Sequence, residues 1–465
     1  MKNITLEILQ NVTKGKLYNA RSVMNVEVTA IIHDSRNVRN NCVFLCIPGN
    51  KVDGASFAGQ VLEEGALAVI CERELPDIDG PYLLVDSVLN AAMKIAEYYR
   101  KSLGIKVVGI TGSVGKTSTK EFIASVLSER YRVHKTKGNY NSDWGVAFTI
   151  FDMDEDDDIA VIEMGINHEG EMDRLAKMAR PDIAVITNIG ESHLEFFKSR
   201  EGILKAKSEI FNYMDSNGSV ILNGDDDKLS TIISAKNIRP DFYGLSAGCS
   251  ITAEKIIDKG LLGSEFDMIV RDGGGKMSMH ISLPVPGKVN IYNALAASMV
   301  GLKLSISPLS IRNALKRMKG AEGRFNVIET ERFLVIDDCY NASPKSVEAS
   351  LDILKTVDRR KVAILGDMLE LGEDSEKFHF RVGKYAGTSG IDVIIFVGAL
   401  SEKSYMGAKL SSDCQADYYR CNADCIRRLP GILQKGDAVL IKASNSMNFK
   451  EIVDAVINIT DEDKN

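Results

Sequence analysis

Gly109-Ile110-Thr111-Gly112-Ser113-Val114-Gly115-Lys116-Thr117-Ser118-Thr119 is the stretch on which the reading of this chain turns. The run Ile105-Lys106-Val107-Val108-Gly109-Ile110 before it predicts a strand, and a helical pattern from Lys116 to Arg130 follows it. A glycine-rich turn between a strand and a helix is the setting a phosphate loop requires. Glycines let backbone N–H groups close around phosphate oxygens, and the helix N-terminus adds partial positive charge. The predicted phosphate-binding set is Gly112, Ser113, Val114, Gly115, Lys116, Thr117 and Ser118. Lys116 would reach the outer phosphates and the Thr117 hydroxyl would ligate Mg²⁺. Ile110 stands where the full Walker spacing has a glycine, so this is a shorter GxxGK[ST] form.

Working outward, Ile159-Ala160-Val161-Ile162 and Ile183-Ala184-Val185-Ile186 predict two further strands of the same unit. Strands alternating with helical patterns imply a parallel sheet covered on both faces. Upstream, Val43-Phe44-Leu45-Cys46-Ile47 and Leu67-Ala68-Val69-Ile70 are short buried-strand patterns, with a helix expected over 91–101. Downstream, Phe333-Leu334-Val335-Ile336, Val362-Ala363-Ile364-Leu365, Val393-Ile394-Ile395-Phe396-Val397 and Ala438-Val439-Leu440-Ile441 predict a second, Rossmann-like open sheet. The expected fold class is α/β in three domains: a small one over 1–102, a central phosphate-loop parallel-sheet ATPase unit over 103–319, and a C-terminal one over 320–465.

Length agrees with that division, since 465 residues exceed what one core organises. A hydrophobic share of 45% and a charged share of 26% exclude a disordered or low-complexity chain. A net charge of −7 supplies no global basic field for nucleic acid or an anionic membrane. No run of 18 apolar residues predicts a membrane span, and the start MKNITLEILQ lacks a secretory apolar core, so a cytoplasmic protein is expected. Cys42, Cys46, Cys71 and Cys339 sit in or beside apolar segments, as reduced buried thiols do. Cys414, Cys421 and Cys425 form no CxxC pair and have no nearby His, which argues against zinc there. The acidic run 152–158 reads as a solvated loop.

Three further residues bear on chemistry. Glu163 follows Ile162 at a strand end, where a doubly wound sheet presents ligand-binding groups. It is either an Mg²⁺ ligand beside the phosphates or a surface glutamate. His193, in the loop after the next strand, is either structural or a ligand. Lys207, on a helical stretch over 202–211, reads on periodicity as a surface lysine.

In order along the chain, Asp34-Ser35-Arg36, Val52-Asp53-Gly54-Ala55-Ser56-Phe57, the Thr111–Thr119 loop, Gly138-Asn139-Tyr140-Asn141, Glu163-Met164-Gly165, the block 188–210, Asn290-Ile291-Tyr292-Asn293-Ala294-Leu295-Ala296-Ala297, Gly323-Arg324, Asp337-Asp338-Cys339-Tyr340-Asn341-Ala342-Ser343-Pro344 and Leu365-Gly366-Asp367-Met368-Leu369-Glu370-Leu371-Gly372 resemble the Mur ligase family. The last two blocks resemble its D-alanyl-D-alanine-adding branch. The resemblance implies a UDP-sugar-binding N-terminal domain, an ATP-binding central domain and a C-terminal domain that closes on ATP and binds the dipeptide. It implies ATP and Mg²⁺ as cofactors, with UDP-N-acetylmuramoyl-tripeptide and D-alanyl-D-alanine as substrates of a monomer. Lys116 would hold phosphates, Thr117 and Glu163 one Mg²⁺, and His193 a second. Lys207 matches a position carbamylated in several members, where it becomes a ligand. Lys116, His193 and Lys207 thus form the implied catalytic set. Asn293 would meet adenine, Arg324 the phosphates and Asp338 the ribose. Asp34, Ser35 and Arg36 would lie near uridine and Tyr340 and Asn341 near the dipeptide, with Asn139 and Asn141 also among the substrate-binding residues. The chain departs from the family pattern at Ser142-Asp143-Trp144, Val289, Ser343 and Asn445.

Two alternatives remain open at this level. A diamino-acid-adding or folylpolyglutamate-synthase-like ligase would share the central loop and the Mg²⁺ residues. A phosphate-loop switch ATPase would share only the loop, with no use for a separate N-terminal nucleotide-sugar domain.

Overall fold

The computed structural model describes residues 1–49, 52–190, 194–272, 275–320, 323–411 and 414–460. Three sheets follow one another along the chain. The first has five strands, in the spatial order Lys16–Tyr18, Tyr82–Leu84, Ala68–Cys71, Val43–Leu45, Ile31–Ile32. All its pairings are parallel except that of Lys16–Tyr18 with Tyr82–Leu84.

The central sheet has nine strands. Seven run parallel, in the order Ile251–Asp258, Asp241–Gly244, Ser219–Asn223, Ile183–Ile186, Lys106–Thr111, Ile159–Glu163, Val133–Lys135. The parallel sheet expected here carries two further strands at one edge, Ser264–Asp272 and Gly275–Leu283, which pair antiparallel. Only two residues separate these strands in sequence, too few for the crossover that a parallel pair needs. The C-terminal sheet has six strands, five of them parallel, with Asn326–Glu329 antiparallel at one edge.

The two junctions between these units differ in kind. Helix Val88–Leu103 carries buried Val88, Ala92, Ile95 and Tyr99 on one stripe. That stripe belongs to a single apolar cluster extending from Leu6 and Leu9 to Val146 and Ile150 of the central unit. The Tyr99 hydroxyl donates to the Met153 carbonyl at 2.9 Å, and Arg100 Nε donates to the Ala179 carbonyl at 2.9 Å. The C-terminal sheet instead packs its two faces into separate clusters, around Phe333, Ile364 and Phe449 on one side and Ile336, Leu351 and Phe396 on the other, with Leu261 of the central unit packed against the second. Among the described residues, no helix is long and apolar enough to cross a membrane.

Candidate active site

The phosphate loop sits at the C-terminal end of strand Lys106–Thr111 and opens helix Lys116–Leu127. Gly112 has φ +152°, and a Cβ there would stand 1.9 Å from Thr187 Oγ1, so only glycine fits. Gly115 has φ +86° and ends the turn. The next strand end braces the loop: Val114 N donates to Asn188 Oδ1 at 3.0 Å and Gly190 N donates to Ser113 Oγ at 2.9 Å. Lys116 Nζ donates to the Gly112 carbonyl at 2.9 Å, so the ammonium curls over the loop it would serve. Lys116 keeps partial exposure, yet the protein around its ammonium lowers its pKa. Desolvation is the main cause, the Glu163 charge opposes it and the Arg324 charge adds to it.

Glu163 is 1% exposed, so it is not a surface glutamate. Its Oε2 accepts from Thr117 Oγ1 at 2.8 Å and its Oε1 from Asn141 Nδ2 at 2.9 Å. A hydroxyl and a carboxylate held together beside a phosphate loop are the hard oxygen donors that suit Mg²⁺. Among the described residues, no group of three His, Cys, Asp or Glu could hold a metal, so phosphate oxygens and water would complete such a shell.

Arg324 crosses from the C-terminal unit and donates from Nη2 to Thr117 Oγ1 at 2.9 Å. Its guanidinium carbon lies 4.0 Å from the centre of the Tyr340 ring. Its buried Nε has no hydrogen-bond partner among the described residues, which leaves a charged donor for an anionic ligand. Asp338 accepts from Phe325 N at 3.0 Å, Ser350 Oγ at 2.6 Å and Lys442 Nζ at 2.6 Å. Asn341 supplies its carbonyl to the same Lys442 at 3.0 Å. A cleft of about 1250 Å³ is lined by Lys116, Asn139, Asn141, Glu163, Asn293, Arg324, Asp338, Tyr340 and Asn341.

Other expected residues fall differently. Asn293 lines the cleft, but its Oδ1 already accepts from Thr119 and its Nδ2 donates to Asn290, both within 2.9 Å. Asp34 and Arg36 lie in the N-terminal unit, away from the cleft lining, and are paired with each other at 2.6 Å. That pairing holds the Asp34 carboxyl far below its ordinary range, Arg36 being the main cause. Lys207 is 1% exposed on helix Arg200–Ser208, which corrects its reading as a surface lysine. Helical period locates a face, whereas the packing of that face decides burial. Desolvation, and then the Lys116 charge, hold its amine well below the ordinary lysine pKa. His193 lies outside the described residues. Sequence reasoning did not single out Lys120 or Lys442, since a lysine carries no local signal of burial.

Family comparisons cover this architecture from end to end. The Mur ligase family catalytic domain matches residues 27–110, the Mur ligase middle domain 110–301, and the Mur ligase glutamate ligase domain 323–445. The UDP-N-acetylmuramoyl-tripeptide--D-alanyl-D-alanine ligase of Bacillus subtilis (strain 168) is 35% identical over 97% of this chain and 98% of its own length. A crystal structure of MurF from Acinetobacter baumannii superposes with a TM-score of 0.88 at 30% identity, covering 98% of this chain and 99% of that one. MurF ligase from Thermotoga maritima in complex with ADP gives a TM-score of 0.80 at 29% identity, covering 92% and 96%. With three matched domains in sequence order, and the loop, carboxylate and arginine meeting in one cleft, the chain belongs to the Mur ligase family.

Proposed function

We propose that this enzyme is the ATP-dependent ligase that joins D-alanyl-D-alanine to UDP-N-acetylmuramoyl-tripeptide, a step of peptidoglycan precursor synthesis. The observation that carries this reading is the meeting of Lys116, Thr117, Glu163 and Arg324 in one cleft, together with relatives of that activity matched over almost their full length. Diamino-acid-adding and folylpolyglutamate-type ligases would use the same loop, but the full-length likeness favours the dipeptide-adding branch. A switch ATPase leaves the N-terminal unit without a purpose.

A carboxylate is a poor acyl donor because oxide is a poor leaving group. Transfer of the ATP γ-phosphoryl to the tripeptide carboxylate gives an acyl phosphate and ADP. The dipeptide amine then attacks the acyl carbon, and phosphate departs with the C–O electron pair. Both steps gather negative charge on oxygen. Lys116, the loop N–H groups and Arg324 offset that charge. Mg²⁺ held by Thr117 and Glu163 would neutralise phosphate charge there. Lys207, with its amine pKa pulled down, is set up for carbamylation, since the neutral amine is the form that takes up CO₂. Its carbamate, and His193, would then serve a second Mg²⁺.

Asp34, Ser35 and Arg36 would take the uridine end, and Asn139 and Asn141 the portion of the sugar nucleotide near the cleft. Asn293 would take adenine, Asp338 the ribose, and Tyr340 and Asn341 the dipeptide. The domain roles follow over 1–102, 103–319 and 320–465. Alignment of three substrates can supply about 7–11 kcal/mol of a barrier, and closure also keeps water from the acyl phosphate. In this reading the working form is a monomer, acting in the cytoplasm where ATP is present.

The test is phosphate release with defined substrates, using tripeptides ending in lysine or in diaminopimelate. Release that requires both D-alanyl-D-alanine and one of these sugar nucleotides bears the reading out. Release driven by glutamate or a free diamino acid instead would refute it.

A further inference from the structure

Lys120 lies one turn beyond Lys116 on helix Lys116–Leu127 and is 1% exposed. Its ammonium donates to the Thr136 carbonyl at 2.8 Å and the Gly138 carbonyl at 3.4 Å. It also stands 3.4 Å from Glu121 Oε1 and 3.7 Å from Glu163 Oε2. Thr136 completes the loop of contacts, since its Oγ1 accepts from Glu163 N at 3.0 Å. At the far end of the same segment, Asn141 Nδ2 donates to Glu163 Oε1 at 2.9 Å and Gly165 N donates to the Asn141 carbonyl at 2.9 Å. Segment 136–141 is therefore fastened to Glu163 at both ends, and one fastening runs through a buried ammonium.

A charge taken out of water is tolerated only where other groups replace its hydration. Two carbonyls of the segment and two carboxylates do so here. A lysine needed for packing alone would gain nothing from standing beside the carboxylate that faces the phosphate loop. We infer that Lys120 is a positioning residue that couples segment 136–141, at the acceptor side of the cleft, to Glu163, so that a divalent cation at Thr117–Glu163 and the acceptor segment order one another. Coupling of this kind is reciprocal, because each ligand biases the same arrangement. The inference deepens the proposed function, and depends on it only for the identity of the acceptor.

The full chain and Lys120→Met, which keeps an unbranched stem of similar reach and removes the ammonium, are titrated with ADP by calorimetry, with Mg²⁺ and with chelator. Loss of a group supporting a metal ligand costs about 10- to 100-fold in metal affinity. The Mg²⁺-dependent gain in ADP affinity should fall by that factor in the variant, while affinity in chelator stays within about twofold. KM for the sugar nucleotide should rise and KM for the dipeptide should not. An unchanged Mg²⁺ gain, or an equal loss with and without Mg²⁺, overturns the inference. Removing a buried charge can unfold a domain, so the unaltered protein supplies a second reading. Addition of Mg²⁺ to the ADP-bound chain should slow amide hydrogen exchange at 138–141, and indifferent exchange there overturns the inference whatever the variant does. Failure of the proposed function would look different: Mg²⁺–ADP coupling intact, with no phosphate release dependent on D-alanyl-D-alanine.

Discussion

The junction of the N-terminal unit with the central unit and that of the central unit with the C-terminal unit are built from opposite materials. The first is a continuous apolar core, within which the buried Tyr99 and Arg100 donate hydrogen bonds to main-chain carbonyls of the central unit. The second is a polar cleft crossed by Arg324. An apolar core loses contacts steeply when its parts separate, whereas polar groups across a cleft exchange partners with water or ligand at small net cost. The N-terminal unit is thus fixed relative to the phosphate loop, whereas the C-terminal unit meets the loop across polar groups.

Four outcomes test that contrast. Lys116→Ala should lower turnover by about 10³-fold or more, as loss of a group facing developing negative charge does, and leave sugar-nucleotide affinity unchanged by calorimetry. Tyr99→Ala should cost about 3–5 kcal/mol in denaturant unfolding, the range for truncating a large buried aromatic, because it hollows the shared core. A small loss there would mean that the first junction is no firmer than the second. Arg324→Ala should cut kcat by about 10²-fold and leave Tm within a degree or two, since it removes a charge acting across the cleft and empties no core. Arg36→Ala should raise KM for the sugar nucleotide by only a few-fold with kcat unchanged, because Arg36 is solvent-exposed and its ion pair with Asp34 is screened.

Strands Lys106–Thr111, Ile159–Glu163 and Ile183–Ile186 and the phosphate loop were legible because each is a local pattern: a short apolar run, then glycines at fixed positions, then helical period. The edge hairpin Ser264–Leu283 was not, because its outer face meets solvent and its strands lack the continuous apolar run of buried parallel ones. The candidate site divides in the same way. Lys116, Thr117 and Glu163 follow from the loop and the strand end beside it. Lys120, Lys207 and Lys442 are buried, and nothing local to a lysine announces that; only the packing of neighbouring elements does. Asn141 shows a subtler gap, since a residue expected among the substrate-binding set also holds the Glu163 carboxylate.

The account rests on activation of the acceptor carboxylate by phosphoryl transfer at the 112–117 loop. Labelling both oxygens of the tripeptide's terminal carboxylate with oxygen-18, running one turnover with ATP, Mg²⁺ and D-alanyl-D-alanine, and weighing the released phosphate by mass spectrometry tests it most directly. One labelled oxygen in each phosphate, with ADP as the other nucleotide product, is the predicted result. Unlabelled phosphate, or label found in AMP, would contradict it.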